Sequence, residues 1–431
     1  MSSTRRTILL STWGLFTGLA LLLVSAGVFS TLVGVRAELK QLPTIVSGGI
    51  TTAYYAGFLL GSWYSLRALA QVGHIRVYGA LASLLSASVL ITGVFDSPVV
   101  WIIMRSSTGF CFAGLYVVAE SWLNGLAKNT FRGRLLAMYN VVTIGAYGVG
   151  QLLVFNFDAR TLTGFAFAAA VASLAVIPVA MSEQAATPDI KHHVQISLRE
   201  LARIVPTGFG TILLVGLAHG GMLGMAVIHA TREGLSVGQT GIFVAVLQLG
   251  GMALTWPISS ASDDIDRRII GLLISLGTIV VGAIMLTQNT DSVTTLVLLF
   301  AIGGLSFPLY AIAGAYTNDW VSPEQMSAAA SQLVTLYGFG AMLGPLAAAP
   351  FLDLLGTDGY AWSIIAFHVL ILMFLIYRIR AWQEPLTNKP WDDVSFHGRA
   401  FFVPATIASL GVSRRTPKPQ PPSDNSTTTR Q

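Results

Sequence analysis

Cysteine and charge are both scarce in this chain. Its single cysteine, Cys111, rules out an internal disulfide and argues against a zinc cluster, leaving a small residue buried on a helix. Charged residues make up 10% of the 431 positions, against about 25% in an ordinary soluble protein. With 53% hydrophobic residues and a mean hydropathy of +0.68, the chain has more apolar surface than a soluble core could hide, so a lipid bilayer is its expected surrounding. No Walker phosphate loop occurs, which excludes ATP as an energy source, and the glycine-rich run 145–150 follows no strand and reads as a helix-packing surface. Neither a His/Glu zinc spacing nor a Ser/His/Asp constellation falls within the apolar runs, so an enzyme is a distant third reading and no cofactor or metal is expected.

What the chain has in abundance is long apolar runs of about 20 residues, the length that spans a bilayer. They fall at 8–33, 45–66, 77–95, 98–122, 135–155 and 163–182, then at 206–228, 239–260, 269–287, 293–316, 327–351 and 360–380. Many lean on Gly, Ser and Thr, which let helix backbones approach closely in lipid. A pI near 9.4 would suggest nucleic acid for a soluble protein, but here the basic residues have a topological explanation and no nucleic-acid partner is expected. With twelve runs and a cytoplasmic N-terminus, 20 of the 25 lysines and arginines lie on the cytoplasmic side. The positive-inside rule therefore predicts that both termini and the middle loop are cytoplasmic. Arg5 and Arg6 resemble the basic start of a signal peptide, but the apolar run behind them is too long and lacks a clear cleavage site.

The chain also repeats itself. Leu115-Tyr116-x-x-Ala119-x-x-Trp122-x-Asn124 returns 194 residues later as Leu309-Tyr310-x-x-Ala313-x-x-Tyr316-x-Asn318, and at the same offset Gly109 matches Gly303 and Gly57 matches Gly251. Duplication of a multi-helix bundle about an axis along the membrane normal leaves this pattern, with a site between the halves. The expected organisation is a first bundle at 1–182, a cytoplasmic linker at 183–205, a second bundle at 206–381 and a cytoplasmic extension at 382–431. Pro188 and Pro206 bracket a short amphipathic helix in the linker, segment 396–412 is mixed apolar and basic, and the polar, proline-rich tail from about 413 is expected to be disordered.

Two loop segments carry a family resemblance. GSWYSLRALAQVGHIR at 61–76 and LTWPISSASDDIDRR at 254–268 occupy the place of the loop signature of the major facilitator superfamily. The second copy is the fuller, with Asp263 in the acidic position and Asp266-Arg267-Arg268 closing it; the first keeps Gly61, Gly73 and Arg76 without an acid. Arg105-x-x-x-Gly109 resembles the superfamily's fourth-helix pattern. Gly340-x-x-x-Gly344-Pro345 resembles its glycine-proline pattern, which belongs on the fifth helix and here falls on the eleventh, so antiport gains no support from it. GHIRVYGAL (73–81), GFCFAGLYVVAESWLN (109–124), RGRLLAMYNVV (132–142), GQLL (150–153) and FPLYAIAGAYTND (307–319) resemble the YcaD-like bacterial branch. The resemblance implies an all-α integral membrane protein with about twelve transmembrane helices in two six-helix bundles, in the inner membrane. It implies little about substrate.

Candidate functional residues are the polar groups at membrane depth. Arg105 is seven residues into its run, where an isolated guanidinium costs several kcal/mol, so it should face an interior cavity or an acid; snorkelling outward is the bland alternative. Glu120, the one carboxylate well inside a first-half run, is the proton-coupling candidate, with pairing to Arg132 or Arg134 as an equal structural reading. Tyr116 and Tyr310 are candidates for a pocket, as are Gln151 and Gln248. His219 could carry a proton or contact substrate, although a neutral imidazole bonded to a carbonyl is the commoner arrangement. Trp122 and Tyr316 read equally as gate aromatics or interfacial anchors. Asn124, Asn318, Asp263, Asp266, Arg267, Arg268 and Asp319, with Gly61, Gly73 and Arg76, are candidates for a cytoplasmic gating network; a solvated loop that merely enforces topology has equal standing. The resemblance assigns Arg36 to an outward gate, whereas Arg36 and Glu38 by themselves read as a solvent-exposed pair of modest value.

The leading expectation is a secondary transporter working by alternating access on a small neutral, amphipathic or singly charged solute, with protons as a candidate coupling ion and a monomer as the expected state. Two alternatives stand beside it: a facilitated-diffusion uniporter, and a non-transporting sensor or scaffold using the 383–431 tail.

Overall fold

In lipid every backbone N–H and C=O must find its partner inside the protein, and helices do this within one segment. The computed structural model describes residues 3–126, 132–182, 196–322 and 325–381, and these are all-helical. The first half holds α1 (Ser3–Leu39), α2 (Thr44–Val72), α3 (His74–Val94), α4 (Pro98–Leu126), α5 (Arg132–Leu153), α6 (Thr163–Leu174) and α7 (Val176–Ala180). After them come α8 (Leu198–Ile204), α9 (Pro206–Arg232), α10 (Val237–Asp264), α11 (Arg267–Met285), α12 (Val293–Ser306), α13 (Pro308–Trp320), α14 (Met326–Leu355) and α15 (Gly359–Ala381). By length and composition, nine stretches among the described residues can cross a membrane, the last of them (328–381) running through both α14 and α15.

Each apolar run expected from sequence falls on helix, and the two that break do so at proline. The run at 163–182 interrupts at Ala175, three residues before Pro178, and the run at 293–316 at Phe307, just before Pro308. Proline lacks an N–H and crowds the preceding turn, which weakens the ladder at these two places, although α10 runs on through Pro257 and α14 through Pro345 and Pro350. Starts are capped where the chain turns sharply: Ser236 and Gln239 form a reciprocal capping box on α10, and the Asp266 side chain accepts from the Arg268 backbone N–H at the head of α11. Gly73, at φ 88, supplies the left-handed residue that joins α2 directly to α3.

The duplication seen in sequence is visible as duplicated helix contacts. A Cβ on Gly109 would lie 1.9 Å from the Tyr54 carbonyl oxygen, and one on Gly303 would lie 1.8 Å from that of Leu247. Gly150 meets Val24 O in the same way as Gly344 meets Leu217 O, at 2.2 and 2.4 Å. The glycines of the 340–345 pattern are therefore seats for α9 on α14. One pairing shifts: Gly57 packs on Ser106 O at 1.8 Å, and the second-half residue doing this job against Phe300 O, at 1.9 Å, is Gly250 rather than Gly251. The offset is 193 along α2 and α10 and 194 along α4 and α12.

One apolar core runs from Leu15 to Val179 and another from Val215 to Leu375. A third gathers Ile196, Leu201 and Val205 against Ala313, Leu333 and Leu336, so the helical end of the linker docks on the second half. Segments 183–195 and 382–431, with the expectations placed on them, lie outside the described residues.

Candidate functional site

Where α1, α2, α4 and α5 meet α9 and α10, a cavity of about 100 Å³ remains between the halves. Its wall includes Arg105, Tyr116, Gln151 and Gln248, four of the six residues expected in a pocket. Arg105 lies against two aromatic faces, its guanidinium carbon 4.7 Å from the Tyr54 ring centre and 5.4 Å from that of Phe29. Among the described residues no carboxylate pairs with it, and its buried Nε has no hydrogen-bond partner. The snorkelling alternative is thereby set aside: the side chain turns inward. Tyr116 continues the aromatic lining, its ring 6.3 Å from Phe58 and 6.4 Å from Phe112. Gln151 is 1% exposed, and its Oε1 has no partner. The Ser30 and Tyr147 hydroxyls, 2.8 Å apart, complete the polar part of the wall.

His219 and Tyr310 lie outside this cavity, in the interior of the second half. His219 Nε2 is 3.1 Å from both the carbonyl and the hydroxyl oxygen of Ser306, whose hydroxyl is 2.9 Å from His368 Nε2. His368 Nδ1 reaches the Ile364 carbonyl at 2.8 Å, and the Tyr337 hydroxyl lies 3.3 Å from His219 Nδ1. With both imidazoles neutral, one direction of donation satisfies the chain: Tyr337 O–H to His219, His219 N–H to Ser306, Ser306 O–H to His368, His368 N–H to Ile364 O. This tie joins α9, α12, α14 and α15, and it is the carbonyl-bonded arrangement that sequence weighed against a substrate contact. Tyr310 packs edge-on to Tyr337, ring centres 5.0 Å apart, because its helix turns that face to α14. His368 was absent from the sequence candidates, although a lone histidine deep in the last apolar run was the available signal.

Glu120 is 2% exposed and accepts from the Tyr139 hydroxyl at 3.4 Å. It sits one helical turn beyond Tyr116, behind the cavity wall and not on it. The side chains of Arg132, Arg134 and Asn124 lie outside the described residues.

The two faces of the protein carry different polar networks. On the face of the α2–α3 and α10–α11 turns, Arg267 bonds Asp319 at 2.8 Å, Asp263 at 3.1 Å and Ser262 at 3.0 Å, and Arg268 bonds Asp266 at 2.8 Å. Burial pushes the Asp266 carboxyl up, but the Arg268 side-chain and backbone bonds, with its charge, outweigh this and hold it below the ordinary carboxylate range. All of these belong to the second half, whose loop copy has the acid. Asn318 sits nearby with its Oδ1 buried and without a partner. Among the described residues the first copy gives no such cluster: Gly61 seats α2 on Phe110 O at 2.4 Å, Gly73 makes the turn, and Arg76 is exposed.

On the opposite face, Arg36 is 7% exposed and tied within the first half, to Asp96 at 3.1 Å and the Gly93 carbonyl at 2.9 Å. The expected exposed Arg36–Glu38 pair is thus corrected, because helical spacing of two turns these side chains apart. Glu38 instead crosses to the second half, where Arg232 donates to it at 2.8 Å. Arg232 also donates to the Thr44 hydroxyl at 2.7 Å and lies 3.5 Å from Asp353, to which Thr44 donates. Below this cluster the seam is tight: a Cβ on Gly34 would meet Val227 at 2.5 Å, and one on Gly48 would meet Pro345 O at 3.0 Å. Arg232 and Asp353 were not among the sequence candidates.

The sequence model described as Major Facilitator Superfamily matches residues 208–417. The chain is 25% identical over 380 residues to an uncharacterised MFS-type transporter, YcaD, of Escherichia fergusonii, covering 87% of this chain and 97% of that one. Against the protein of the same name in Salmonella typhimurium it is 27% identical over 387 residues, covering 89% and 98%. Among solved structures, the nucleoside transporter NupG superposes with a TM-score of 0.69 at 12% identity, over 86% of this chain and 99% of that one. An inward-facing, occupied bacterial homologue of the human lysosomal transporter Spinster gives 0.71 at 14%, over 89% and 98%. These structural likenesses concern the fold.

Proposed function

We propose that this chain, which is similar to the major facilitator superfamily and to the YcaD-like transporters within it, moves a small neutral, amphipathic or singly charged solute across the bacterial inner membrane by alternating access. Residues 1–182 and 206–381 are the two six-helix bundles, joined by the 183–205 linker, with twelve crossings, both termini cytoplasmic and the 382–431 extension inside. The protein acts as a monomer, with no cofactor and no catalytic chemistry of its own. The observation that carries the reading is the cavity between the halves, with the Glu38–Arg232 pair bridging the halves on one face. The charge distribution makes that face the outer one. Opening it must break an inter-half cluster, while the second-half loop cluster around Arg267 sets the balance at the inner face.

Glu120 is the residue proposed to exchange protons, reaching the cavity through Tyr116 one turn away. Its place behind the wall also favours a second reading, uniport with Glu120 as a structural partner of Tyr139. The two part in inverted vesicles challenged with a panel of small metabolites and amphipathic compounds. Proton coupling predicts compound-specific collapse of the proton gradient that disappears in Glu120→Gln while counterflow persists. Undiminished proton flux in that variant assigns the coupling elsewhere and ends the role given to Glu120.

A further inference from the structure

The cavity says more about its occupant than its size does. Arg105 keeps its proton at any working pH. Among the described residues it is the one charged side chain on the cavity wall, and no described carboxylate neutralises it. Faces of Tyr54 and Phe29 supply cation–π attraction. That is weaker than the effective penalty for a charge withdrawn from water. The remainder must come from whatever shares the cavity. A dianion would want a second cation, and the described residues of the wall provide none.

The rest of the lining is aromatic and aliphatic, with Phe112, Tyr116 and Leu223 facing the same space. Two amides stand on opposite sides of the seam, Gln151 from α5 and Gln248 from α10, and the Gln151 Oε1 is buried without a partner. A buried acceptor left unsatisfied is costly, so it is suited to a donor brought by the ligand.

We propose that the cavity binds a small organic monocarboxylate, its carboxylate seated on the Arg105 guanidinium and its apolar or aromatic body lying among Phe29, Tyr54, Phe112 and Tyr116. This names the substrate class of the transport reading and rests on that reading for its physiological meaning. The guanidinium fork matches a carboxylate in two parallel hydrogen bonds, the aromatic faces beside it suit a flat or hydrophobic body, and the Arg105 charge disfavours an ammonium compound. A hydroxyl or amino group at the far end of the ligand would meet Gln151.

The test uses the purified full-length protein in detergent and reads thermal unfolding with matched pairs: benzoate and benzamide, phenylacetate and phenylacetamide, hexanoate and hexanamide. Acid and amide share shape and differ in charge, so the wild-type comparison alone is decisive. The expected result is an upward shift with the acids at concentrations on the order of tenfold below those needed for the amides. Arg105→Gln should erase that preference and Arg105→Lys should keep part of it, with both variants first checked for an unchanged elution profile. Equal shifts from acid and amide, a preference that survives in Arg105→Gln, or no shift from any acid would each overturn the proposal. Because no flux is measured, failure here leaves alternating access to be judged separately, by the opposed movements of the two faces.

Discussion

Gly109→Ala and Gly303→Ala are each expected to be among the most destabilising single methyl groups that could be added to the protein. The new Cβ would sit 1.9 Å from Tyr54 O in one half and 1.8 Å from Leu247 O in the other. Both obstacles are backbone atoms of a neighbouring helix, so no side chain can swing aside. The helices must separate, and the packing that replaces the hydrophobic effect in lipid goes with them. Overpacking ordinarily costs about 1–3 kcal/mol, and a clash with backbone belongs at or above the upper end. Gly145→Ala and Gly148→Ala are the controls. Both glycines are helical with open space at the Cβ position, and alanine is the better helix former by about 1 kcal/mol. Thermal unfolding in detergent should therefore drop sharply for the first pair and stay level or rise for the second. Equal behaviour of the two pairs would contradict the contacts described.

Arg232→Glu is expected to open the face that Glu38 and Arg232 close. An exposed ion pair alone contributes only about 0–1 kcal/mol. Here, however, the arginine serves Glu38, Thr44 and Asp353 together, and its side chain is 29% exposed. Reversing its charge replaces attraction with three carboxylates in one cluster. A shift of about 1.4 kcal/mol changes the population of the open state tenfold, and the reversal should reach at least that. The readout is the rate at which Ser47→Cys, on the cavity wall, reacts with a membrane-impermeant maleimide in intact cells; the native Cys111 is buried. Labelling should accelerate about tenfold or more in Arg232→Glu and return towards the parental rate when Glu38→Arg is added. An unchanged rate, or no rescue by the swap, would remove the pair from the gate.

The swap is a fair test because Glu38 and Arg232 lie at the ends of the first helix of each half and bond each other directly. Along these helices the structural offset is 193, since Gly150 meets Val24 O where Gly344 meets Leu217 O, and positions 38 and 232 are 194 apart, one residue from equivalence. The offset had been read for glycines and aromatics, and applied to charges it would have brought these two within one residue of a match. Spacing along α1 misled instead, by coupling Glu38 to Arg36. The helices themselves were legible because lipid forces apolar length and internal hydrogen bonding onto the same segments. Arg105 was legible as a cavity residue because its depth leaves few other inexpensive places for a guanidinium. Tyr310 was not, since a repeat transfers depth and helix but not what packs opposite: Tyr116 meets Phe58 and Phe112, whereas Tyr310 meets Tyr337. His368 escaped notice because its meaning depends on Ser306 and His219, 62 and 149 residues earlier.

Alternating access requires the two faces to move in opposition, and spin-label distances on both test this most directly. Labels at Leu39→Cys and Leu354→Cys report across the Glu38–Arg232 face, and labels at Val72→Cys and Ile265→Cys across the other; all four native side chains are exposed. The account predicts that Arg232→Glu lengthens the first distance and shortens the second within the same samples. Two faces that stay fixed, or that widen together, would contradict it.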